Sequence, residues 1–238
     1  MDSDTTQTVA LFKLIAWADK NRQKIYLGVG AIVVVAAALA ITNANARSKE
    51  TAANRELFAL QSLMGPTGAK TIPDPAGYLK VASEFSGTGA GERASLLAAG
   101  LLFGSAKYAE AQKQFDQFLT EYPDSGFKSQ AVFGSASALE AQGKTNEAVT
   151  KYLDVTRTYS TDPVAEPARL ALARIYETQN KPEEALKLYD IVNKPGAMSV
   201  WSSEASGRRE VLLQRNPKLA AALTPAVTSS NAAPMKLP

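Results

Sequence analysis

The chain has 238 residues and contains neither cysteine nor histidine, which excludes disulfides, thiol nucleophiles, Cys/His zinc sites and imidazole acid–base catalysis. Its 26 Lys and Arg against 23 Asp and Glu give a net charge of +3, divided as +1 in residues 1–24, 0 in residues 47–217 and +2 in residues 218–238. Because the long central region is electrically balanced, we expect no nucleic-acid partner.

Residues 1–24 form a predicted cytoplasmic head. Apolar side chains recur at helical spacing from Val9 to Trp17, which predicts an amphipathic helix. This helix either lies among the lipid headgroups, with Trp17 at the interface, or continues into the next segment as a single helix. The short cationic head favours retention inside the cell, whereas the long C-terminal part can cross the membrane regardless of its charge.

Residues 25–46 carry no charge and are bracketed by Lys24 and Arg47. A helix of this length covers roughly 33 Å, enough for a hydrocarbon core of about 30 Å, so we predict one transmembrane helix. Residues 44–46 also have the small-x-small form of a signal-peptidase site, and cleavage there would leave Arg47 first; the long head favours an uncleaved anchor. The residues expected to anchor the chain are Trp17, Ile25, Val33, Ala36 and Ala40. The last two belong to a stripe of small residues that either meets another helix or reflects the frequency of alanine in such segments.

A gapless 37-residue period dominates residues 47–217. After an amphipathic helix predicted over 48–64, the register is set by Lys107, Lys144 and Lys181. Alanines and aromatic residues recur in this register at Ala94, Ala131, Ala168 and Ala205 and at Tyr78, Phe115, Tyr152 and Tyr189. A repeat of this length predicts stacked helical hairpins in which each hairpin covers the apolar flank of its neighbour. The expected fold is therefore all-α, a transmembrane helix followed by an α-solenoid.

The helices predicted within the repeats are 74–86, 91–105, 108–122, 127–142, 145–159, 164–179, 182–193 and 199–214. Pro217 ends the last hairpin, and residues 218–238 are predicted to be a short helical remnant followed by a disordered tail.

No catalytic, cofactor-binding or metal site is predicted. Glu140 and Glu177, at equivalent repeat positions, are expected on solvated helix faces rather than as an acid–base pair. The glycines of the segment 86–92 are expected in a flexible turn, because no strand precedes them and no Lys-Ser/Thr follows, as a phosphate-binding loop requires. We therefore expect a non-enzyme without a small-molecule substrate.

The concave face of a helical array is its usual binding surface. By repeat position, the candidate protein-binding residues are Arg93, Gln130, Phe133, Leu170 and Arg174. The alternative is that these residues are packing or idle surface positions, and Phe133 and Leu170 in particular fit a core role.

The repeats resemble the tetratricopeptide repeat. Its small residue followed four positions later by an aromatic appears as Ala111-x3-Phe115, Ala148-x3-Tyr152 and Ala185-x3-Tyr189. The longer connections YPDSGFKS at 122–129 and YSTDPVAEP at 159–167 look like those of the envelope proteins YbgF/CpoB and BamD.

Over residues 9–215 the chain resembles the YfgM family of inner-membrane proteins. The head pattern Val9…Trp17…Asn21…Ile25…Gly28 and the helix SKETAANRELFALQSL carry this resemblance, although Arg22 replaces a glycine usual in the family. The resemblance implies a periplasmic repeat domain on a bacterial inner-membrane anchor, acting as an accessory subunit of the SecYEG translocon that contacts periplasmic chaperones. The alternative is an envelope-assembly or division coordinator of the YbgF/CpoB or BamD type.

Overall fold

A computed structural model describes residues 3–62, 73–194 and 199–223, with side chains described from Phe12 onward. All regular secondary structure in these ranges is helical, which confirms the predicted all-α class. The helices are α1 (Ser3–Ser62), α2 (Pro75–Glu84), α3 (Gly89–Gly104), α4 (Tyr108–Glu121), α5 (Lys128–Ala141), α6 (Thr145–Thr158), α7 (Ala165–Thr178), α8 (Pro182–Val192), α9 (Val200–Arg215) and α10 (Pro217–Leu223).

From α2 to α9, every helix lies within two residues of its predicted bounds. Successive helices pack as antiparallel pairs, and the first helices of neighbouring hairpins also contact each other, α3 with α5 and α7 with α9. These first helices form the inner layer of the array, and α4, α6 and α8 form the outer layer. The helical remnant predicted after Pro217 is α10, and the predicted disordered tail beyond Leu223 lies outside the described residues.

The turn from inner to outer helix repeats with the sequence period. Its residue with positive φ is Ala106 (60°), Gly143 (76°) or Asn180 (56°), each 37 positions after the last. In each copy the next N–H donates to a carbonyl five residues back, as in Lys107 to Leu102 at 2.9 Å. This is the Schellman pattern, which ends a helix in the left-handed conformation that glycine adopts without steric cost.

Two reciprocal substitutions test this turn. We expect Ala106→Gly to raise the free energy of unfolding by up to about 1 kcal/mol and Gly143→Ala to lower it by about the same amount, because only the alanine carries a Cβ penalty at positive φ. Chemical denaturation followed by circular dichroism measures both. Shifts of the same sign in the two variants would contradict this account of the turn.

The core follows the predicted columns. The alanines at the helix contacts, Ala111, Ala148 and Ala185, have no exposed surface, and the aromatic side chains four positions later fill the space between hairpins. The hydroxyl of Tyr152 donates to Glu140 at 2.6 Å, and Tyr189 donates to Glu177 in the next copy. The expectation that both glutamates lie on solvated faces was therefore wrong, because each is partly buried as the partner of a core tyrosine.

Helix α1 is continuous over 60 residues, or roughly 90 Å. Of the two alternatives for the head, the structure has the continuous helix, and the helix predicted over 48–64 is part of it up to Ser62. No Pro or Gly occurs between Gly30 and Ser62, so nothing in the sequence breaks the helix. Its apolar part reaches a mean hydropathy of 2.5 with none of that stretch buried, which makes α1 long and apolar enough to cross a membrane.

The last turns of α1 belong to the array. Ala53 (0% exposed) and Leu57 (4%) are buried against Tyr78 and Val81 of α2 and against α3. The carboxylate of Glu50 accepts from the backbone N–H groups of Gly89 and Ala90 at 2.7 and 3.1 Å, which satisfies two amides at the start of α3. The end of α1 is thus the first inner helix.

Candidate functional site

A groove of about 520 Å³ lies on the inner layer, between α5 and α7. Inner helices α5 and α7 approach each other less closely than α3 and α5 or α7 and α9 do, which leaves the space that the groove occupies. The side chains around it come from five helices and include Phe103, Phe133, Glu140, Tyr152, Pro167, Leu170, Arg174 and Trp201.

The floor of the groove is tightly packed and apolar. Tyr152 and Leu170 are each 1% exposed, and the ring of Phe133 packs on that of Tyr152 with centroids 5.8 Å apart. Trp201, at the start of α9, forms a wall and is 38% exposed. A half-buried Phe and a partly exposed Trp over a packed floor present large apolar surface that needs little reordering to receive a ligand.

Polar groups of opposite charge border this apolar surface. Glu140 accepts from the Tyr152 hydroxyl, and burial together with this hydrogen bond raises the pKa of Tyr152 above its ordinary value of 10.0, so the phenol keeps its proton and the contact is maintained at neutral pH. Arg174 also borders the groove, and its guanidinium lies 3.5 Å from the carboxylate of Glu204. The groove can therefore accept an apolar side chain flanked by polar groups.

Arg174 also borders a second cavity, of about 660 Å³, between the C-terminal halves of α7 and α9. Arg208 and Arg215 line it together with Glu177. Since Arg208 donates to Glu204 at 2.7 Å and Glu177 accepts from Tyr189, much of this charge is already paired within the chain. We therefore treat the apolar groove as the principal candidate site.

Three of the five predicted binding residues converge on the groove, namely Phe133, Leu170 and Arg174. Leu170 also belongs to the core, in agreement with the alternative noted for it. Gln130 is exposed one turn before Phe133 on α5. Arg93 lies apart from the groove, because its guanidinium donates to Asn54 of α1 at 2.7 Å.

Sequence reasoning missed Phe103, Glu140, Pro167 and Trp201 as groove residues. Phe103 and Glu140 stand 37 residues apart, at equivalent positions of the repeat, so the period could have indicated these two residues. Trp201 has no aromatic equivalent 37 residues earlier, where Val164 stands, and its place in the groove depends on how α9 packs.

The five predicted anchor residues lie on α1 before the part that packs on the array. Trp17 is 61% exposed and Val33 59%, Ala36 and Ala40 are exposed, and Ile25 is partly buried. Their anchoring role stays a prediction.

Residues 105–197 match the family model of the tetratricopeptide repeat-like domain. The whole array is similar to a solved structure of a Podosopora anserina putative kinesin light chain with nearly identical TPR-like repeats, at 16% identity and a TM-score of 0.51, covering 74% of this chain and 89% of that one. The fold is tetratricopeptide-like. BtubC (BKLC) from P. vanneervenii also matches, at 14% identity and a TM-score of 0.43, over 74% of this chain and 69% of its own. No curated protein matches the sequence. The groove thus lies on the inner helices of a tetratricopeptide-like array.

Proposed function

We propose that the chain is a membrane-anchored scaffold that binds segments of other proteins in the groove between α5 and α7. The observation that carries this proposal is the groove itself, a packed apolar floor with aromatic walls on the inner face of a tetratricopeptide-like array. Aromatic and arginine side chains around a desolvated pocket are the features of energetically dominant protein contacts. The polar side chains of the lining bind one another, since the Tyr152 hydroxyl donates to Glu140 at 2.6 Å, which supports a binding role over an enzymatic one.

We further propose that residues 25–46 span a bacterial inner membrane, with the N-terminus cytoplasmic and the array periplasmic. Support comes from the long, uncovered apolar stretch of α1 and from the cations that bracket it. Since the resemblance to the YfgM family covers the head as well as the array, we propose an accessory role at the SecYEG translocon or in the periplasmic chaperone network. The connections at 122–129 and 159–167 favour the second candidate, an envelope-assembly coordinator like YbgF/CpoB or BamD.

Photo-crosslinking tests the groove. We expect a photoreactive residue at Gln130, on the inner face, to capture partners in the cell, and one at Thr150, exposed on outer helix α6, to capture few or none. SecYEG or chaperone peptides in mass spectra of the adducts would favour the first role, and Tol–Pal or outer-membrane assembly proteins the second. Equal capture at both positions would contradict the proposed binding face.

Removing an aromatic wall should weaken the same contact. We expect Trp201→Ala to reduce the crosslinking yield at Gln130 roughly tenfold or more, as truncation of a dominant interface residue costs about 2 kcal/mol. Val200→Ala is the matched control, because Val200 neighbours Trp201 on α9 but is 79% exposed and does not line the groove. Melting curves of both variants show whether a lost contact reflects a damaged fold.

A further inference from the structure

Helices α1 and α3 run parallel, and their contacts fix their register. Glu50 binds the amides of Gly89 and Ala90, and one turn later Asn54 binds Arg93. Residues farther along α1 therefore lie beside residues farther along α3. The N-terminal end of α3 lies beside the part of α1 that follows the apolar segment, and its C-terminal end points away from that segment.

The connector between α2 and α3 lies close to the end of the apolar segment. Lys49 donates from Nζ to the carbonyl of Ser86 at 2.8 Å. Lys49 follows Ala46 by three residues, which is roughly 5 Å along the helix axis. A whole bilayer measures about 40–45 Å and its hydrocarbon core about 30 Å, so the headgroup layer on each side is about 5–7 Å thick. This thickness is similar to the distance from Ala46 to Lys49 along the helix axis. The connector therefore reaches headgroup depth if residues 25–46 fill the core.

The chemistry at this place suits phosphate groups. A cavity of about 600 Å³ lies between α1 and this connector. It is lined by residues 46, 47 and 49–51 of α1 and by residues 86–89. Its cations are the exposed Arg47 and Lys49, and Glu50, the one acidic residue among those lining it, is already occupied by the α3 amides. Cations next to a membrane helix attract anionic lipid headgroups.

We propose that a membrane-proximal edge, formed by Arg47, Lys49, Ser86 and Gly87, contacts lipid phosphates. This contact holds the array in one orientation, in which the N-terminal end of α3 and the adjoining part of α1 face the bilayer. The inference rests on the proposed membrane insertion of residues 25–46. The turn at Lys107, at the other end of α3, is then roughly 25 Å farther from the membrane. The tetratricopeptide-like array is thereby oriented, rather than freely tethered.

The absence of cysteine allows a direct test in the full-length chain. Ser86→Cys and Lys107→Cys, each carrying a nitroxide, are reconstituted into vesicles of phosphatidylcholine and phosphatidylglycerol. Accessibility to a water-soluble nickel chelate is then measured by electron paramagnetic resonance. Both positions are exposed in the folded chain, so the protein alone does not shield either label. We expect the label at position 86 to be several-fold less accessible than the label at position 107, and less accessible in vesicles than in detergent.

The alternatives are distinguishable. Equal accessibility of both labels in vesicles that carry the protein would overturn the orientation and leave the anchor intact. Failure of the chain to float with vesicles would overturn the proposed anchor and with it this inference. Ser83→Cys, exposed on the last turn of α2, serves as a second proximal position should the Ser86 variant fold poorly.

Discussion

Replacing Gly91 by alanine is expected to lower the free energy of unfolding by about 3 kcal/mol or more, because the new methyl group has no space. A Cβ at this position would lie 2.3 Å from the carbonyl oxygen of Phe85 and 2.9 Å from its carbonyl carbon. These are backbone atoms of the turn that ends α2, so no side-chain rotation relieves the overlap. Either the turn opens or the first turn of α3 unwinds.

The same turn provides the cap of α3. The hydroxyl of Thr88 accepts from the amide of Gly91 at 3.0 Å, and the amide of Thr88 donates to Phe85 at 3.1 Å. Displacing Phe85 therefore breaks hydrogen bonds as well as packing. Loss of an N-cap alone costs about 1 kcal/mol.

Gly100→Ala is the matched control in the same helix. A Cβ at Gly100 would meet no atom within 4 Å, and alanine in a helix interior is more stable than glycine by about 0.5–1 kcal/mol. We expect the two variants to shift the urea midpoint of the full-length chain in micelles in opposite directions. A Gly91→Ala protein as stable as the parent would show that the turn from α2 to α3 is not as close as described.

Gly91 also shows where sequence reasoning stopped. The glycines around it were expected in a flexible turn, yet α3 begins at Gly89 and the requirement for glycine at position 91 is steric. From the sequence alone, Gly89 and Gly91 are expected to have the same structural role. The two positions are distinguished only by the structure, in which a Cβ at Gly91 would overlap the carbonyl oxygen of Phe85.

The repeat boundaries were predictable because the period reflects a physical constraint applied in each copy. Stacked hairpins need a small residue where two helices touch and an aromatic residue in the space between them, as at Ala148 and Tyr152. Both requirements leave a mark on the sequence at fixed spacing. The turns at Gly143 and Asn180 follow the same register, because the chain must reverse once per copy.

The groove was only partly predictable, because its lining is brought together by the packing of five helices. Phe133 and Leu170 share a repeat column and were identified from it, whereas Trp201 enters the groove from α9 with no equivalent in the preceding copy. The role of Arg93 depends on Asn54, 39 residues away on a helix outside the recognised period. Contacts of this kind leave no local pattern in a single sequence.

Fragments that begin at residue 47 and at residue 63 are expected to distinguish two roles of α1, membrane anchoring and packing on the array. A fragment of residues 47–238 should leave the membrane fraction and remain folded, because it loses the apolar segment but keeps Ala53, Leu57 and Glu50. A fragment of residues 63–238 should be strongly destabilised, since it uncovers Tyr78 (2% exposed) and Val81 (4%) and removes the partner of the first amides of α3. Flotation with vesicles and cooperative thermal unfolding measure the two effects. Soluble, equally stable behaviour of both fragments would contradict a packing role for the end of α1.

A point substitution in the uncut chain isolates the packing role. Leu57 and Phe58 are neighbours on α1, but Leu57 is 4% exposed and Phe58 is 70% exposed. Removing a buried leucine side chain costs about 2–5 kcal/mol, whereas truncating an exposed side chain away from special features changes stability by about 0.5 kcal/mol or less. We therefore expect Leu57→Ala to lower the melting temperature of the array and Phe58→Ala to leave it nearly unchanged, with both proteins still in the membrane fraction. The reverse order would mean that α1 presents its other face to α2 and α3, and the orientation inferred from Glu50 would fall with it.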